Sequence, residues 1–531
     1  MRSSDWKQAT PYLWFCVLVF AMGDLMYGID SSSFGSLQAL PSFLSTFGEK
    51  QPNGTYVLST NRKSIMNSVV YVGRLVGVLV FEPLAERFGY RAILFGISVF
   101  QVLAVVLELT AKSWIQFTVG RVFAYMAVGL IENTIPTYSA EVSPLALRGF
   151  FAGLITPINT ASSVWGAGMS QAYATETGKI GWLVPVAVQI IPAVISIILV
   201  FFTVESPRWL VSKGKKEQAL VNLKRLRTKE DVAAGLPEAE IEALENAIEF
   251  DRQVNTGSWI DMVRGAYWRR SLYVALMFFF YQVTGNSFYN AYGPSFFVSQ
   301  GLGSKSFTYA ILVQLMGMIG SIMAIVATDR VGRRPLCIFG AGLLIVWDFL
   351  IGYLGSKPTK TVAEQNTIIA SFIMLLWSTK VSWATHSFLM GAEMGGIRMR
   401  KKIIMIGTSQ DVIWSFVVSY CTPYIMNDIG AKVGYIFGGV SVVSFVFAIL
   451  FLPELAGRGL EEVDELFDKP RFRWGWQYEG VKTSGVGAAI AELERGHEYE
   501  AQNAADVELS GSGQADPSLG RKEDVQQVEV A

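Results

Sequence analysis

Acidic and basic side chains inside long apolar runs are the residues of this chain best placed to do chemistry. Asp30 lies near the end of the first such run and Arg121 near the start of the fourth. A charged side chain at the centre of a bilayer costs about 2.5 to 3.5 kcal/mol on insertion scales, so each needs a partner or a role. The first run leads toward the face from which the fourth returns, which puts Asp30 and Arg121 at similar depth and able to pair. A carboxyl that ionises beside a guanidinium and takes a proton when separated from it is a proton carrier. A pair that never separates merely holds two helices. Arg74, Glu132, Lys380, Asp348 and Asp411 are further ionisable residues within or near such runs, and Asp24 stands about two turns inward of Asp30. Arg74, between Gly73 and Gly77, needs an acid or backbone carbonyls. A structural network is the first reading of these groups and direct substrate contact the second. His386 can take a proton near neutral pH or serve as a satisfied packing residue.

The elements that must position these groups are membrane helices. A bilayer core needs roughly 20 apolar residues per helix. Such runs fall near 11–33, 64–84, 92–111, 115–138, 150–172 and 181–203, and again near 271–298, 307–327, 335–354, 366–391, 403–426 and 432–452. The sequence therefore predicts an all-α membrane protein of twelve transmembrane helices in two six-helix bundles. Its parts are a first bundle over 1–203, a linker with short helices over 204–270, a second bundle over 271–467 and a disordered tail over 468–531. The composition agrees: 51% of the 531 residues are hydrophobic and 17% charged, and the mean hydropathy is +0.36, too apolar for an ordinary soluble protein. The formal net charge is zero, so no basic surface points to nucleic acid. Two histidines and three unpaired-looking cysteines (Cys16, Cys337 and Cys421) give no metal or disulfide framework. No cleavable signal peptide is evident.

Basic residues set the orientation. Arg208, Lys213, Lys215, Lys216, Lys224, Arg225, Arg227 and Lys229 in the linker, with Arg398, Arg400, Lys401 and Lys402 after the tenth run, mark the cytoplasmic face. An even number of spans then places both termini in the cytoplasm. The sequon Asn53-Gly54-Thr55 falls in the first outside loop, where Asn53 is a glycosylation candidate.

The two halves repeat. Leu84-Ala85-Glu86-Arg87-Phe88-Gly89-Tyr90-Arg91 and Thr328-Asp329-Arg330-Val331-Gly332-Arg333-Arg334 are charged hairpins between successive spans. Glu141 and Arg148 follow the fourth span as Glu393 and Arg400 follow the tenth. Glu205 and Arg208 follow the sixth as Glu454 and Arg458 follow the twelfth. Internal duplication is how many secondary transporters are built. Acids and bases at three matching inner-face positions are expected to close the cytoplasmic side as ion-pair clusters and to break when it opens.

At these residues the chain resembles the sugar porter family of the major facilitator superfamily, in its fungal branch. The resemblance rests on Gly28-Ile29-Asp30, Gly120-Arg121, Pro136-x-Tyr138-x-x-Glu141-x-x-Pro144-x-x-x-Arg148-Gly149 and Glu205-Ser206-Pro207-Arg208-Trp209-Leu210. In the second half it rests on Gln282-x-Thr284-Gly285, Asp329-Arg330-x-Gly332-Arg333-Arg334 and Pro453-Glu454-x-x-Gly457-Arg458. It covers Pro11 to Phe467. It implies two bundles rocking about a central site, with Asp30 the acid that proton-coupled members keep. The cargo positions depart from the family pattern. One glutamine of the usual pair remains, in Tyr281-Gln282-Val283-Thr284-Gly285-Asn286-Ser287. Ser163 stands near the usual fifth-span glutamine, and His386 and Phe388 lie where Gly-Pro-x-x-Trp is usual, with Phe388 in place of the stacking tryptophan. Gln282, Asn286, Tyr281, Ser163, His386 and Phe388 are the implied cargo residues, an amide and aromatic faces suiting a hydroxyl-rich ring.

The resulting expectation is a monomeric, multi-pass carrier in the plasma membrane that imports a sugar or sugar-like polyol by proton symport, without cofactor or metal. A facilitator or exporter of another hydroxylated metabolite is the alternative, and a sugar sensor signalling through the tail is a third. No nucleophile elbow, zinc signature or phosphate loop points to an enzyme.

Overall fold

In lipid every backbone N–H and C=O must be satisfied within the segment, which restricts spanning elements to helices or closed barrels. The computed structural model describes residues 5–52, 54–144, 147–253, 259–265, 267–300, 305–456, 458, 460–468 and 474–478, and its spanning elements are all helical. The first half contains α1 (Pro11–Leu37), α2 (Thr60–Phe88), α3 (Tyr90–Leu109), α4 (Trp114–Val142), α5 (Ile155–Ala172) and α6 (Ile180–Phe202). In the second half α7 runs from Tyr267–Tyr281 through a π-helical turn, Gln282–Asn286, into Ser287–Ser299. It is followed by α8 (Lys305–Val331), α9 (Arg333–Gly355), α10 (Val362–Met394), α11 (Gly396–Ile429) and α12 (Val433–Leu450). Two of the twelve, α5 and α7, are not among the helices both long and apolar enough to cross a membrane. The reason is chemical: they bring Asn159, Ser162 and Ser163, and Gln282, Thr284, Asn286 and Asn290, into the interior.

Local signals start and join the helices. Thr10 and Ser113 cap α1 and α4 by accepting from Leu13 N and Gln116 N, which satisfies backbone donors left free at a helix start. Helices α2 and α4 cross with backbones nearly touching. A Cβ at Gly73 would lie 2.1 Å from the Val122 carbonyl, and one at Gly129 2.2 Å from the Arg74 carbonyl. Such small-residue crossings are how membrane helices pack without a hydrophobic driving force.

Two faces of the molecule differ. On the face carrying the charged hairpins, called here the linker face, helices Lys216–Leu226 and Leu236–Gln253 lie below the first bundle. They are held through Leu210, Val211 and Ala219 against Ile241 and Ile248. Arg227 pairs with Glu240 at 2.6 Å and donates to the Val142 carbonyl at the end of α4. On the opposite face the halves are bonded directly. Ser64 donates to the Tyr420 carbonyl at 2.6 Å, Tyr424 to Asn61 at 3.1 Å, and Gln38 to the Ala291 carbonyl at 3.3 Å.

One sequence expectation changes here. Within the stretch expected to be a disordered tail, Gly475–Tyr478 forms a turn against the second bundle. Tyr478 is buried on Phe467, and Trp474 lies on Phe451. Three aromatic residues in five supply enough apolar surface to dock this segment. Asn53 and residues 479–531 lie outside the described residues.

Candidate functional site

Two arginine-centred clusters occupy the interior of the membrane region. The outer one lies toward the opposite face. Arg121 of α4 and Asp30 of α1 are each 2% exposed, and their charged atoms are 3.6 Å apart. The guanidinium lies 3.6 Å above the Phe34 ring and donates to the Met66 carbonyl at 3.1 Å. It therefore rests on an aromatic face and a carbonyl as well as on its acid. A second acid, Glu108 of α3, is fully buried beside the pair. Neither of its carboxyl oxygens has a hydrogen-bond partner among the described residues. The sequence reading missed Glu108 because it stands at the end of α3, where an acid passes for an interfacial residue. Its signal was the apolar setting, Val106-Leu107-Glu108-Leu109.

The inner cluster lies midway along the helices. Arg74 of α2 grips Glu132 of α4 through two bonds of 2.9 and 2.6 Å, and Asp411 of α11 through a third of 2.6 Å. The first contact lies within the first half and the second joins the two halves. Asp411 uses its other oxygen to accept from the Gln282 amide at 2.6 Å. A bidentate guanidinium–carboxylate contact is the strong form of such a bond.

The cargo residues of the sequence reading partly converge on this cluster. Gln282 sits on the π-helical turn of α7, and its carbonyl oxygen accepts from Asn286 and Ser287 at 3.2 and 2.9 Å. Tyr281 is the residue before it, close enough to interact electrostatically with Asp411 and Arg74. Phe388 of α10 lies edge-on to Phe278 and Tyr281. Ser163 is turned back onto the Asn159 carbonyl of its own helix at 3.1 Å. His386 is not brought to the cluster: it is fully buried, with one ring nitrogen on the Ser382 carbonyl at 2.7 Å and the other on Thr328 at 3.2 Å. One nitrogen is held within α10 and the other ties α10 to α8, so both are engaged. No group of three or more potential metal ligands occurs among the described residues.

This arrangement of twelve helices, paired hairpins and a polar centre can be compared with known proteins. The sequence profile described as "Sugar (and other) transporter" matches residues 16–467. The chain belongs to this family of sugar transporters. Among curated relatives it is 27% identical over 483 residues to the low-affinity glucose transporter HXT4 of Saccharomyces cerevisiae, covering 88% of this chain and 83% of that protein. It is 26% identical over 506 residues to the high-affinity fructose transporter ght6 of Schizosaccharomyces pombe, covering 91% and 93%. Among solved structures, the inward open conformation of the xylose transporter XylE from E. coli matches with a TM-score of 0.71 at 20% identity, over 86% of this chain and all of that one. The proton:xylose symporter XylE bound to 6-bromo-6-deoxy-D-glucose matches with a TM-score of 0.70 at 22% identity, over 86% and 99%. The chain is thus a multi-pass membrane sugar transporter with the major facilitator fold, and not an enzyme.

In this sugar transporter the residues assigned to gating form two matching anchors, one in each half. Glu205 accepts from the backbone N–H of Tyr90 and Arg91 at 3.0 and 3.2 Å. Glu454 accepts from Arg333 and Arg334 at 3.0 and 2.9 Å. Each carboxylate therefore sits on the first turn of a helix, where free N–H groups and the helix dipole favour negative charge. Gly89 (φ +82°) and Gly332 (φ +98°) make the turn in a backbone region closed to most side chains. A Cβ at either glycine would also lie 2.6 Å from the glutamate oxygen. Burial pushes the Glu205 carboxyl above its usual range, and the three N–H groups of Ser206, Arg91 and Tyr90 pull it back.

Around these anchors Glu141 accepts from Ser206 and Tyr90, and Arg333 pairs with Glu393 at 3.1 Å. Arg334 donates to the Ile449 carbonyl and Arg458 to the Tyr478 carbonyl. Each of these contacts stays within one half. Glu86, Arg87, Arg148, Arg330 and Arg400 are exposed at this face. Arg208 lies near Glu141, and Asp329 has no described side chain.

Proposed function

We propose that this transporter imports a hexose-like sugar or polyol together with protons, with the linker face and both termini in the cytoplasm. The observation that carries the coupling is the Asp30–Arg121 contact: a carboxylate 2% exposed, held by a single long ion pair of 3.6 Å, with a second, unpartnered acid beside it. Two acids sharing one base in a dry site cannot both stay ionised without cost. A displacement of α1 against α4 separates Asp30 from its one base. The gate reading places Glu205, Glu454 and their hairpins at the pivoting inner face. The cargo reading places Gln282, Asn286, Tyr281 and Phe388 around the ligand. The protein acts as a monomer in the plasma membrane, glycosylated at Asn53. Relatives named as glucose, fructose and xylose transporters and a proton:xylose symporter support the cargo class and the coupling.

A facilitator is the second reading, favoured by the relatives named low-affinity glucose transporters. In that reading Asp30–Arg121 is a permanent tie between helices. Uptake of labelled hexoses, pentoses, disaccharides and polyols by transporter-deficient cells, at two external pH values with and without an uncoupler, separates the two. Concentrative, uncoupler-sensitive uptake is the expected result. Equilibrative uptake indifferent to the uncoupler rules out symport.

A further inference from the structure

The inner cluster holds more negative charge than its one arginine can balance. Arg74 binds Glu132 and Asp411, and Asp24 of α1 faces Glu132 as its charged neighbour. Asp24 is 4% exposed, and one of its carboxyl oxygens has no hydrogen-bond partner among the described residues. Two carboxyls on one guanidinium, with a third acid beside Glu132 and away from water, leave negative charge that only protons can balance. Among the described residues the neighbours that sense this cluster are Tyr27 of α1, Tyr71 of α2 and Tyr281 of α7, and the buried cation of α10, Lys380, is not coupled to these acids.

The position of Asp411 makes one of those protons exchangeable. Arg74 lies on α2 and Asp411 on α11, and these helices run together from this ion pair out to the Ser64–Tyr420 and Asn61–Tyr424 bonds at the opposite face. Nine residues of helix separate Asp411 from Tyr420, about 14 Å at 1.5 Å per residue. Rocking the bundles to open the opposite face must part this seam. Arg74 then stays with Glu132 in its own bundle, held by two bonds, while Asp411 loses its counter-charge.

We propose that Asp411 is a second proton-binding site of the cycle, one that shares Gln282 with the cargo; this rests on the symport reading above. With the opposite face open, the Asp411 carboxylate takes a proton from the outer solution, its O–H bond forming as a hydronium ion gives up that proton. The same movement releases the Gln282 amide for a sugar hydroxyl. When the seam closes, Arg74 returns, the proton leaves to water on the linker side, and Asp411 reclaims Gln282 from the sugar. Proton and sugar thus compete with one guanidinium and one amide at the same place.

The test is proton stoichiometry in proteoliposomes with the membrane potential clamped at zero, using labelled D-glucose, D-fructose and D-xylose. With Asp30 as the other carrier, the wild type is expected to move two protons per sugar. At a pH gradient of one unit that is about hundredfold accumulation, since each proton contributes a factor of ten. Asp411→Asn is expected to retain counterflow exchange, which reports an assembled protein, and to accumulate about tenfold. A wild type that moves two protons with an unchanged Asp411→Asn overturns the assignment. A wild-type stoichiometry of one overturns it without the mutant and leaves Asp30 standing. A stoichiometry of zero overturns both this site and the symport reading.

Discussion

The outer and inner clusters are built from the same parts and differ in what they join. Around Arg121 the partners among the described residues, Asp30, Tyr125, Phe34 and the Met66 carbonyl, and the neighbouring Glu108 all belong to the first half. Around Arg74 the partners come from both halves, Glu132 from the first and Asp411 from the second. Movement of the halves as rigid bodies leaves the outer cluster intact and splits the inner one. The outer cluster can respond only to bending within its own bundle, whereas the inner one responds to the rocking step. Under the proposed symport, one chemical motif thus serves two purposes according to which helices carry it.

The largest expected effect breaks the outer cluster outright. Arg121→Ala leaves Asp30 and Glu108 buried without a counter-ion, which costs about 3–5 kcal/mol for an uncompensated charge. The thermal midpoint in detergent should fall clearly, and Arg121→Lys should recover part of it; an unchanged midpoint would mean that the acids are already neutral. Arg74→Ala is expected to be similar in stability, because Glu132 and Asp411 both lose their base. It differs in conformation: cutting the tie between the halves should raise thiol labelling at Ser64→Cys from the outside, whereas Arg121→Ala should not. Equal labelling in the two mutants would remove the distinction between the clusters.

A smaller effect is expected at the cargo position. Gln282→Ala removes the amide proposed to bind a sugar hydroxyl and should weaken binding by about 1–3 kcal/mol, read as a raised Kd with the protein still at the membrane. Phe388→Trp should reorder preference among sugars more than it changes total affinity. If neither variant moves affinity or selectivity, the cargo lies elsewhere. The smallest effect is expected at the linker face. Arg330 is exposed, while the Arg333 side chain is tied to Glu393 and its backbone N–H to Glu454. Arg330→Ala should therefore raise labelling of cysteines introduced on the cytoplasmic side only modestly, and Arg333→Ala more. The reverse order would relocate the gate.

The helices were legible because apolar length is a local property, and the duplicated hairpins were legible because Leu84–Arg91 and Thr328–Arg334 carry similar charged residues between two apolar runs. The Asp30–Arg121 contact followed from span direction alone. What the sequence withheld were meetings between distant segments. Arg74 needed an acid, but no spacing rule links it to a residue 337 positions later. His386 looked available because a ring on the cavity helix says nothing about Thr328 on α8. Residues 474–478 read as tail because their docking surface, Phe451 and Phe467, lies in other elements.

The most direct test of proton coupling compares accumulation and exchange for Asp30→Asn in the same vesicles. Asparagine mimics the protonated carboxyl, so the transporter should still bind sugar and exchange it by counterflow. Its accumulation at a one-unit pH gradient should fall about tenfold, the factor carried by one proton. An Asp30→Asn protein that accumulates sugar as well as the wild type would contradict the proton-carrier role and leave Asp30–Arg121 as a fixed strut between α1 and α4.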